Sequence, residues 1–426
     1  MKVFLLSLGC AKNQVDSENL VGRLRAAGAE IVDEPQGADV ALINSCSFIR
    51  PAVEESLAAC FDLEELKARG EVGRIGLLGC LFNRYGEELR RELPQVDIWA
   101  PAEDWDSVLH ALGIEARARR SLLPGSAPWS RYLKIAEGCD NRCTYCTIPS
   151  IRGPFRSRSL RDIVDEAHRL VDEGAREICL IAQDPTAWGR DLGAMRLADL
   201  LDALMDDLPR HLWLRLHYLH PHGVDESLLE RMASGRQLLP YLDMPLQHVD
   251  DAILAAMNRN VTGERAGALL RYARSLRSDF ALRTTFITGF PGEGERAFSR
   301  LLAFLEEHEL DRVGAFSFWP EEGTAAARLP RRPSKAVAQG RLDRLMALQL
   351  DISLRRQRNF VGRVLDVLVE RIDDEKGLAW GRSFRDAPEV DGEVEIRTKG
   401  LALGAVVPVT VTEALDHDLI GEVNPS

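Results

Sequence analysis

Apolar residues fall along the first hundred positions in two alternating rhythms. Short, nearly continuous apolar runs occupy residues 2–7, 39–44 and 74–78, and between them residues 15–27, 53–69 and 85–93 place apolar side chains at helical spacing. Continuous runs mark strands buried on both faces, whereas a 3.6-residue recurrence marks helices laid against them. Strands separated by helices predict βαβ units and a parallel sheet covered on both faces. The opening Met1-Lys2-Val3-Phe4-Leu5-Leu6 superficially resembles a short signal peptide. It lacks a small-residue cleavage site and leads straight into a helical pattern, so it predicts a first strand.

Residues 117–131 mix Arg with Pro, Gly and Ser and predict an interdomain linker. Strand-like runs then return at 132–135, 177–181, 213–216, 241–244, 283–288 and 312–318, with helical stretches such as 160–173 and 197–207 between most of them. Six βα units fall short of the eight of a closed barrel and predict an open partial one. Residues 333–360 read as a charged connecting helix. Beyond residue 357 the segments VGRVLDVLVE, GLAWGRSF, GEVEIRTK and AVVPVTVTEA alternate like short antiparallel strands. They predict a small β-barrel of the oligonucleotide-binding type. The expected fold is therefore α/β: a parallel-sheet domain over 1–116, a partial (β/α) barrel over 132–356, and an antiparallel β-barrel over 357–426.

Composition adjusts this picture in two ways. At 426 residues, with 45% hydrophobic and 28% charged positions, the chain suits two or three soluble globular domains. No apolar stretch reaches the roughly 20 residues of a membrane span, so a cytoplasmic protein without a membrane partner is expected. The net charge is −12. A nucleic-acid binder usually carries a basic footprint, so this balance argues against RNA as the main partner and leaves room for a basic protein.

The cysteines carry the chemistry. Cys139, Cys143 and Cys146 form a C-x-x-x-C-x-x-C loop with Tyr145 directly before the last thiol. Three thiolates this close can clamp three irons of a 4Fe–4S cubane and leave the fourth iron open to a substrate or cofactor. The alternative is a zinc knuckle, which wants four closed ligands; the next histidine is His168. Cys10, Cys46 and Cys80 each follow one of the first three apolar runs, in VFLLSLGC, VALINSC and IGLLGC. In a parallel sheet those carboxyl ends open on one edge, so three distant thiols would converge and could hold a second cluster. Three unrelated core cysteines is the plainer alternative. Cys60 in mid-helix and Cys179 in mid-strand read as packing residues.

Together, the Cys-x-x-x-Cys-x-Tyr-Cys loop, the three strand-end cysteines and the terminal barrel resemble the radical S-adenosylmethionine methylthiotransferase family. The likeness extends over essentially the whole chain, as an amino-terminal methylthiotransferase domain, a radical core and a TRAM domain. It implies two 4Fe–4S clusters and S-adenosylmethionine as cofactors. The cluster on Cys139, Cys143 and Cys146 would bind S-adenosylmethionine and split it to a 5′-deoxyadenosyl radical that removes a hydrogen from an unactivated carbon. The cluster on Cys10, Cys46 and Cys80 would carry the sulfur, and a second S-adenosylmethionine would supply the methyl group. An electron donor such as flavodoxin is implied.

The family has two substrate branches. One modifies a tRNA adenosine beside the anticodon, the other the β-carbon of an aspartate in small-subunit ribosomal protein S-twelve. The segments Tyr132–Ile135, Tyr241–His248 and Pro320–Thr324 resemble the protein branch, since tRNA-branch relatives more often carry Gln-Ser at Gln247-His248 and basic residues at Glu321-Glu322. The terminal segment from Gln357 holds 8 Lys/Arg against 14 Asp/Glu, a net of −6, and the remainder of the chain is also −6. An acidic barrel repels phosphates and attracts a basic ribosomal protein, although ordinary solubility also explains such a charge. Methylthiolation of the ribosomal protein is the leading expectation, tRNA methylthiolation the second, and a non-catalytic iron–sulfur module that binds RNA or ribosomes the third. Trp319 departs from the Ser or Pro that relatives carry there.

Further candidates are weaker. The resemblance places Tyr145 near the cluster and adenine, with a core aromatic as the alternative. Gln183 and Asp184 follow the run ICLIA and sit where a cofactor would lie; helix capping also explains Asp184. Gly289, in Thr288-Gly289-Phe290-Pro291-Gly292, resembles a family turn near the cofactor, although such turns are common. Arg215, His217, His220 and His248 are polar residues near strand ends. The basic run 152–161 reads as a solvated loop.

Overall fold

The computed structural model describes residues 1–235 and 237–423; residues 424–426 of the expected barrel segment lie outside them. The first body is a five-stranded, wholly parallel sheet of β1 (Lys2–Ser7), β2 (Glu30–Val32), β3 (Ala38–Ser45), β4 (Val72–Gly79) and β5 (Ile98–Ala100), in the order β2-β1-β3-β4-β5. Its four helices are α1 (Ala11–Ala26), α2 (Arg50–Ala68), α3 (Cys80–Glu92) and α4 (Trp105–Ala111). Alternation along β3 explains the double covering. Val40 and Leu42 pack with Leu20, Leu24, Val108 and Leu109 of α1 and α4, while Ala41 and Ile43 meet Cys60, Leu63 and Leu66 of α2.

Three elements differ from expectation. The three-residue edge strands β2 and β5 are too short for any apolar period to register. Helix α1 begins at Ala11, four residues before the first apolar period, because its opening turns bury mostly polar residues, Asn13, Asp16, Ser17 and Glu18, around Val15.

The second body is the predicted open partial barrel. Strands β6 (Ser130–Lys134), β9 (Glu177–Ile181) and β10 (Trp213–Leu216) form one parallel sheet, with the two-residue hairpin β7 (Ala136–Glu137) and β8 (Arg156–Ser157) beside it. Strands β11 (Tyr241–Asp243), β12 (Ala281–Thr288) and β13 (Arg312–Ser317) form another. A parallel bridge between Leu214 and Leu238 joins the two halves. The helices are α5 (Ile148–Arg152), α6 (Leu160–Asp172), α7 (Leu197–Asp207), α8 (Glu226–Ala233), α9 (Asp251–Ala256), α10 (Gly263–Leu276), α11 (Glu295–His308) and the long α12 (Lys335–Arg358). The linker is less loose than its composition predicts, since Arg120 and Arg131 are buried and share Glu18 of α1 at 3.3 Å each.

The third body is a closed barrel, β14 (Val364–Asp373), β15 (Leu378–Arg382), β16 (Val394–Arg397), β17 (Val406–Ala414) and β18 (Leu419–Val423). Its pairs are antiparallel except β16–β18, which closes it in parallel. Buried charge fastens it to the core: Glu177 of β9 accepts from Arg215 at 2.7 Å and from Arg382 of β15 at 2.6 Å. No helix among the described residues is long and apolar enough to cross a membrane.

Candidate active site between two cysteine trios

β1, β3 and β4 are neighbours in the sheet, so the loops leaving their carboxyl ends are neighbours too. Cys10 is the residue before α1, Cys46 follows β3, and Cys80 opens α3 directly after β4. Cys46 and Cys80 are buried and Cys10 is exposed. Gly9 turns at a φ of +90°, and a Cβ there would lie 2.8 Å from Cys46 Sγ, so only glycine lets these two loops close together. Asn13 stitches the edge by donating Nδ2 to the carbonyls of Leu8 at 2.8 Å and Ser45 at 2.9 Å. Its Oδ1 faces Cys80 Sγ at 3.7 Å. Ser56 fixes Cys46 by accepting from its N–H and donating to its carbonyl.

The second trio lies in the loop between β7 and α5, at the carboxyl edge of the partial barrel. Gly138, with a φ of +76°, approaches so closely that a Cβ would sit 2.1 Å from the Pro154 carbonyl. The N–H of Cys139 donates to Gly153, that of Cys146 to Cys143, and that of Ile148 to Cys146 Sγ at 3.4 Å. Thr144 anchors the loop through Met257, Ala256 and Ala326.

The electrostatics of both trios call for a positive centre. Burial, reinforced by neighbouring thiols of the same trio, pushes Cys80 up to about 12 and Cys146 up to about 12, and it raises Cys46 as well. Burial likewise brings Cys139 to about 11. Such thiols become thiolates when a metal compensates them. Zinc would hold its sulfurs about 3.8 Å apart, given Zn–S bonds near 2.3 Å. Among the described residues, no three cysteine sulfurs lie within 4.8 Å of one another, so neither trio is drawn together as tightly as a zinc site.

The two trios are tied to each other. Thr147, adjoining Cys146, donates its hydroxyl to the Phe48 carbonyl, two residues past Cys46, at 3.1 Å. Asn83 of α3 reaches the Ile151 carbonyl at 2.6 Å. Between the trios lies a buried ionic cluster. Lys134 pairs with Asp16, with Glu103 at 2.5 Å and with Glu137 at 2.9 Å. Arg152 pairs with Asp16 at 2.8 Å and Glu137 at 3.3 Å, and also reaches Asn13 Oδ1. Burial alone would raise the Glu137 carboxyl, but Lys134 and Arg152 override it and hold it at about 2. The solvated-loop expectation for Arg152 is thus corrected: it is a buried link between the domains.

The other candidates fall out unevenly. Tyr145 packs with Ile253, Met257 and Phe290, and its hydroxyl lies beside Cys143. Gln183 donates to Glu137, while its Oε1 is buried without a hydrogen-bond partner, an acceptor suited to a bound polar ligand. Asp184 accepts from Asn141 at 2.6 Å and from the Thr186 N–H at 3.1 Å, so it caps a turn and steadies the thiol loop. Gly289, with a φ of +73°, is explained by close approach to α12, where a Cβ would lie 2.3 Å from Ala338 Cβ. Arg215 is taken up by Glu177, His217 lies 3.5 Å from Asp243, and His248 lies 3.8 Å from Glu293. Burial lowers His220 to about 4. Glu321 is buried against Arg84 at 3.0 Å, so its charge joins domains rather than facing a substrate. Trp319 is exposed beneath the Lys335 ammonium, 4.6 Å from its ring centre. Cys60 and Cys179 are buried in the hydrophobic interior, as expected.

Comparison with known proteins decides the family. The radical SAM superfamily pattern matches residues 133–305, the uncharacterized protein family UPF0004 residues 2–101, and the TRAM domain residues 361–423. The chain is 42% identical to the ribosomal protein uS12 methylthiotransferase RimO of Syntrophotalea carbinolica, over 99% of this chain and 96% of the relative. It is 39% identical to the protein of that name from Aquifex aeolicus, over 99% and 97%. This chain belongs to the uS12 methylthiotransferase family. Among solved structures, the radical S-adenosylmethionine methyltransferase TsrM from Kitasatospora setae, with tryptophan and a SAM analogue, superposes with a TM-score of 0.57 at 14% identity, covering 87% of this chain and 79% of that one. That likeness shows a shared fold. Within the uS12 methylthiotransferase family the chain is a radical SAM methylthiotransferase with a TRAM barrel.

The sequence reading missed Lys12, Asn13, Asp16, Lys134, Arg152 and Arg259 as residues of the site. Arg259 lies 3.9 Å from Cys143 Sγ and donates to the Pro245 carbonyl. The available signal was the polar run Lys12-Asn13-Gln14 after Cys10, which occupies a helix start where apolar residues would mark an ordinary buried face.

Proposed function

We infer that this chain uses S-adenosylmethionine and two 4Fe–4S clusters to add a methylthio group to the β-carbon of an aspartate in ribosomal protein uS12. The observation that carries the reading is near-full-length identity of 39–42% to relatives bearing that name. Our assignment gives Cys139, Cys143 and Cys146 to the cluster that binds S-adenosylmethionine, and Cys10, Cys46 and Cys80 to the second. When bound, these groups supply reductive cleavage of the sulfonium and the sulfur to be transferred.

The chain's own residues position and shield. Gly9 and Gly138 allow the close approaches that shape each thiol loop. Asn13 and Ser56 hold the first trio, and Thr144 holds the second. Tyr145 and Gln183 are assigned to the S-adenosylmethionine side, on the strength of the first's contact with Cys143 and the second's orphaned acceptor. The Lys134–Glu137–Arg152–Asp16 cluster keeps the two domain edges in register.

A cavity of about 580 Å³ opens at Cys10, with Tyr132, Glu370 and Glu389 among its walls. On its barrel side Glu370 is shared with Arg382, while among the described residues Glu389 has no such partner and no Lys or Arg lines the cavity, which favours a basic polypeptide over RNA. A ribosomal substrate and a chemistry that needs reduced thiols support a cytoplasmic site of action, and a small electron carrier of the flavodoxin kind is the proposed donor. Mass spectrometry of cells lacking the protein tests the reading. Loss of the methylthio group from uS12 with tRNA modification intact is expected; the reverse pattern would transfer the assignment to tRNA.

A further inference from the structure

Buried cations in this molecule are generally matched by carboxylates. Lys134 has three and Arg152 two, within the cluster between the trios. Lys12 breaks the rule. It is partly buried in the first turn of α1, two residues after Cys10. Among the described residues its ammonium has no carboxylate at ion-pair distance and no hydrogen-bond partner; Glu137 and Cys10 act on it only through space, and it lies over the ring of Tyr218, 3.9 Å from the centroid. The Tyr218 hydroxyl is likewise without a hydrogen-bond partner among those residues. Lys12 comes from the parallel-sheet domain, while Tyr218 lies just past β10 at the carboxyl edge of the partial barrel. The pair thus spans the two domains that carry the thiol trios.

Tyr218 is held there against its own preference. Its φ is +62°, a conformation bulky side chains seldom adopt. Asp243 enforces it by accepting from the Tyr218 N–H at 2.9 Å, and its carbonyl accepts from the Leu219 N–H at 2.9 Å. Arg283 in turn fixes Asp243 at 2.8 Å. Backbone strain maintained by buried neighbours is a feature of ligand-gripping positions. A cation without a carboxylate in contact, beside a phenol without a hydrogen-bond partner, is a ready site for a carboxylate.

Resting on the reading that the substrate is an aspartate, we propose that Lys12 and Tyr218 anchor its side-chain carboxylate. The β-carbon is bonded directly to that carboxylate, so gripping the anion fixes the reacting carbon one bond away. It also offsets the repulsion that a carboxylate meets between two sets of thiolates. The device selects aspartate over asparagine, because an amide is neutral and gains far less from an ammonium.

The test uses the reconstituted holoenzyme and two probes, recombinant uS12 and its variant with the target aspartate changed to asparagine. Anaerobic calorimetry measures binding, and iron content is determined in parallel. The wild-type enzyme is expected to prefer the aspartate form by roughly tenfold or more, the scale of a hydrogen bond to a charged group. Lys12→Met should abolish that preference with the iron content unchanged. Lys12→Arg should recover part of it, and Tyr218→Phe should weaken it by a smaller factor. Two results overturn the proposal alone: a preference that survives Lys12→Met, or equal weakening for both probes accompanied by iron loss, which would make Lys12 a support for the cluster. A wild-type enzyme that binds neither probe would overturn the substrate reading and this anchor with it.

Discussion

The two cysteine trios reach similar chemistry by opposite routes. Cys139, Cys143 and Cys146 are placed by one local loop, whose shape is set by Gly138 and by hydrogen bonds from Thr144. Cys10, Cys46 and Cys80 are placed by a sheet, because β1, β3 and β4 must pair in register before their ends can meet. The loop site draws its ligands from one short segment held by a few hydrogen bonds, whereas a strand-end site depends on a domain's whole core. The comparison predicts that damage to the loop stays local and that the sheet trio is buffered by its fold.

Replacing all of Cys10, Cys46 and Cys80 by Ala should give the largest contrast with the same change at Cys139, Cys143 and Cys146. Iron should fall from roughly eight to roughly four per chain in both cases. The first variant should still cleave S-adenosylmethionine but lose methylthiolation, and the second should lose both. Equal retention of cleavage by the two variants would break the division of labour. Arg152→Met comes next, since it leaves Asp16, Glu103 and Glu137 to share Lys134 alone where the trios meet. A loss of about 3–5 kcal/mol is expected for an unmatched buried charge, read as a lowered denaturant midpoint.

Acid should act elsewhere. Burial alone would raise Glu177, but Arg382 and Arg215 hold its carboxyl at about 2 when folded, against about 4.3 unfolded. Its contribution is complete above pH ~4.3 and disappears as pH falls toward about 2. The thermal midpoint should drop across that window, and Glu177→Gln should flatten the drop. Gly9→Ala should cost about 1–3 kcal/mol through backbone strain and reduce iron at the sheet trio while the loop trio stays loaded. The smallest effect belongs to Cys60→Ala, which removes a sulfur from the covered face of α2. A change of about 1 kcal/mol with full iron content would confirm that it is no ligand.

Much of this was legible because it is written in short-range pattern. The thiol loop spans eight positions, and the strand ends follow from three apolar runs. The residues that join the trios were not legible. Lys134 meets Asp16 across 118 positions, and Arg152 meets Asn13 across 139. No local period reports a polar helix face that is buried only because another domain covers it. Glu321 shows the same difficulty: its acidic character reads as a mark of the protein-modifying branch, while the ion pair it makes with Arg84, 237 positions away, leaves no local trace. Strands β2 and β5, three residues each, leave no alternation to detect.

The register of β1, β3 and β4 also sets a timetable. Parallel pairing closes long loops before any contact rewards it, so it forms late in folding. The thiols at 139, 143 and 146 are neighbours as soon as their loop has been synthesised. Those at 10, 46 and 80 become neighbours only after the sheet domain has condensed on its two apolar faces. On the cluster assignment proposed above, the loop trio would offer iron a chelator before the sheet trio exists as a receptacle. A maturing chain would then pass through a half-loaded form, one site filled while the other awaits its sheet.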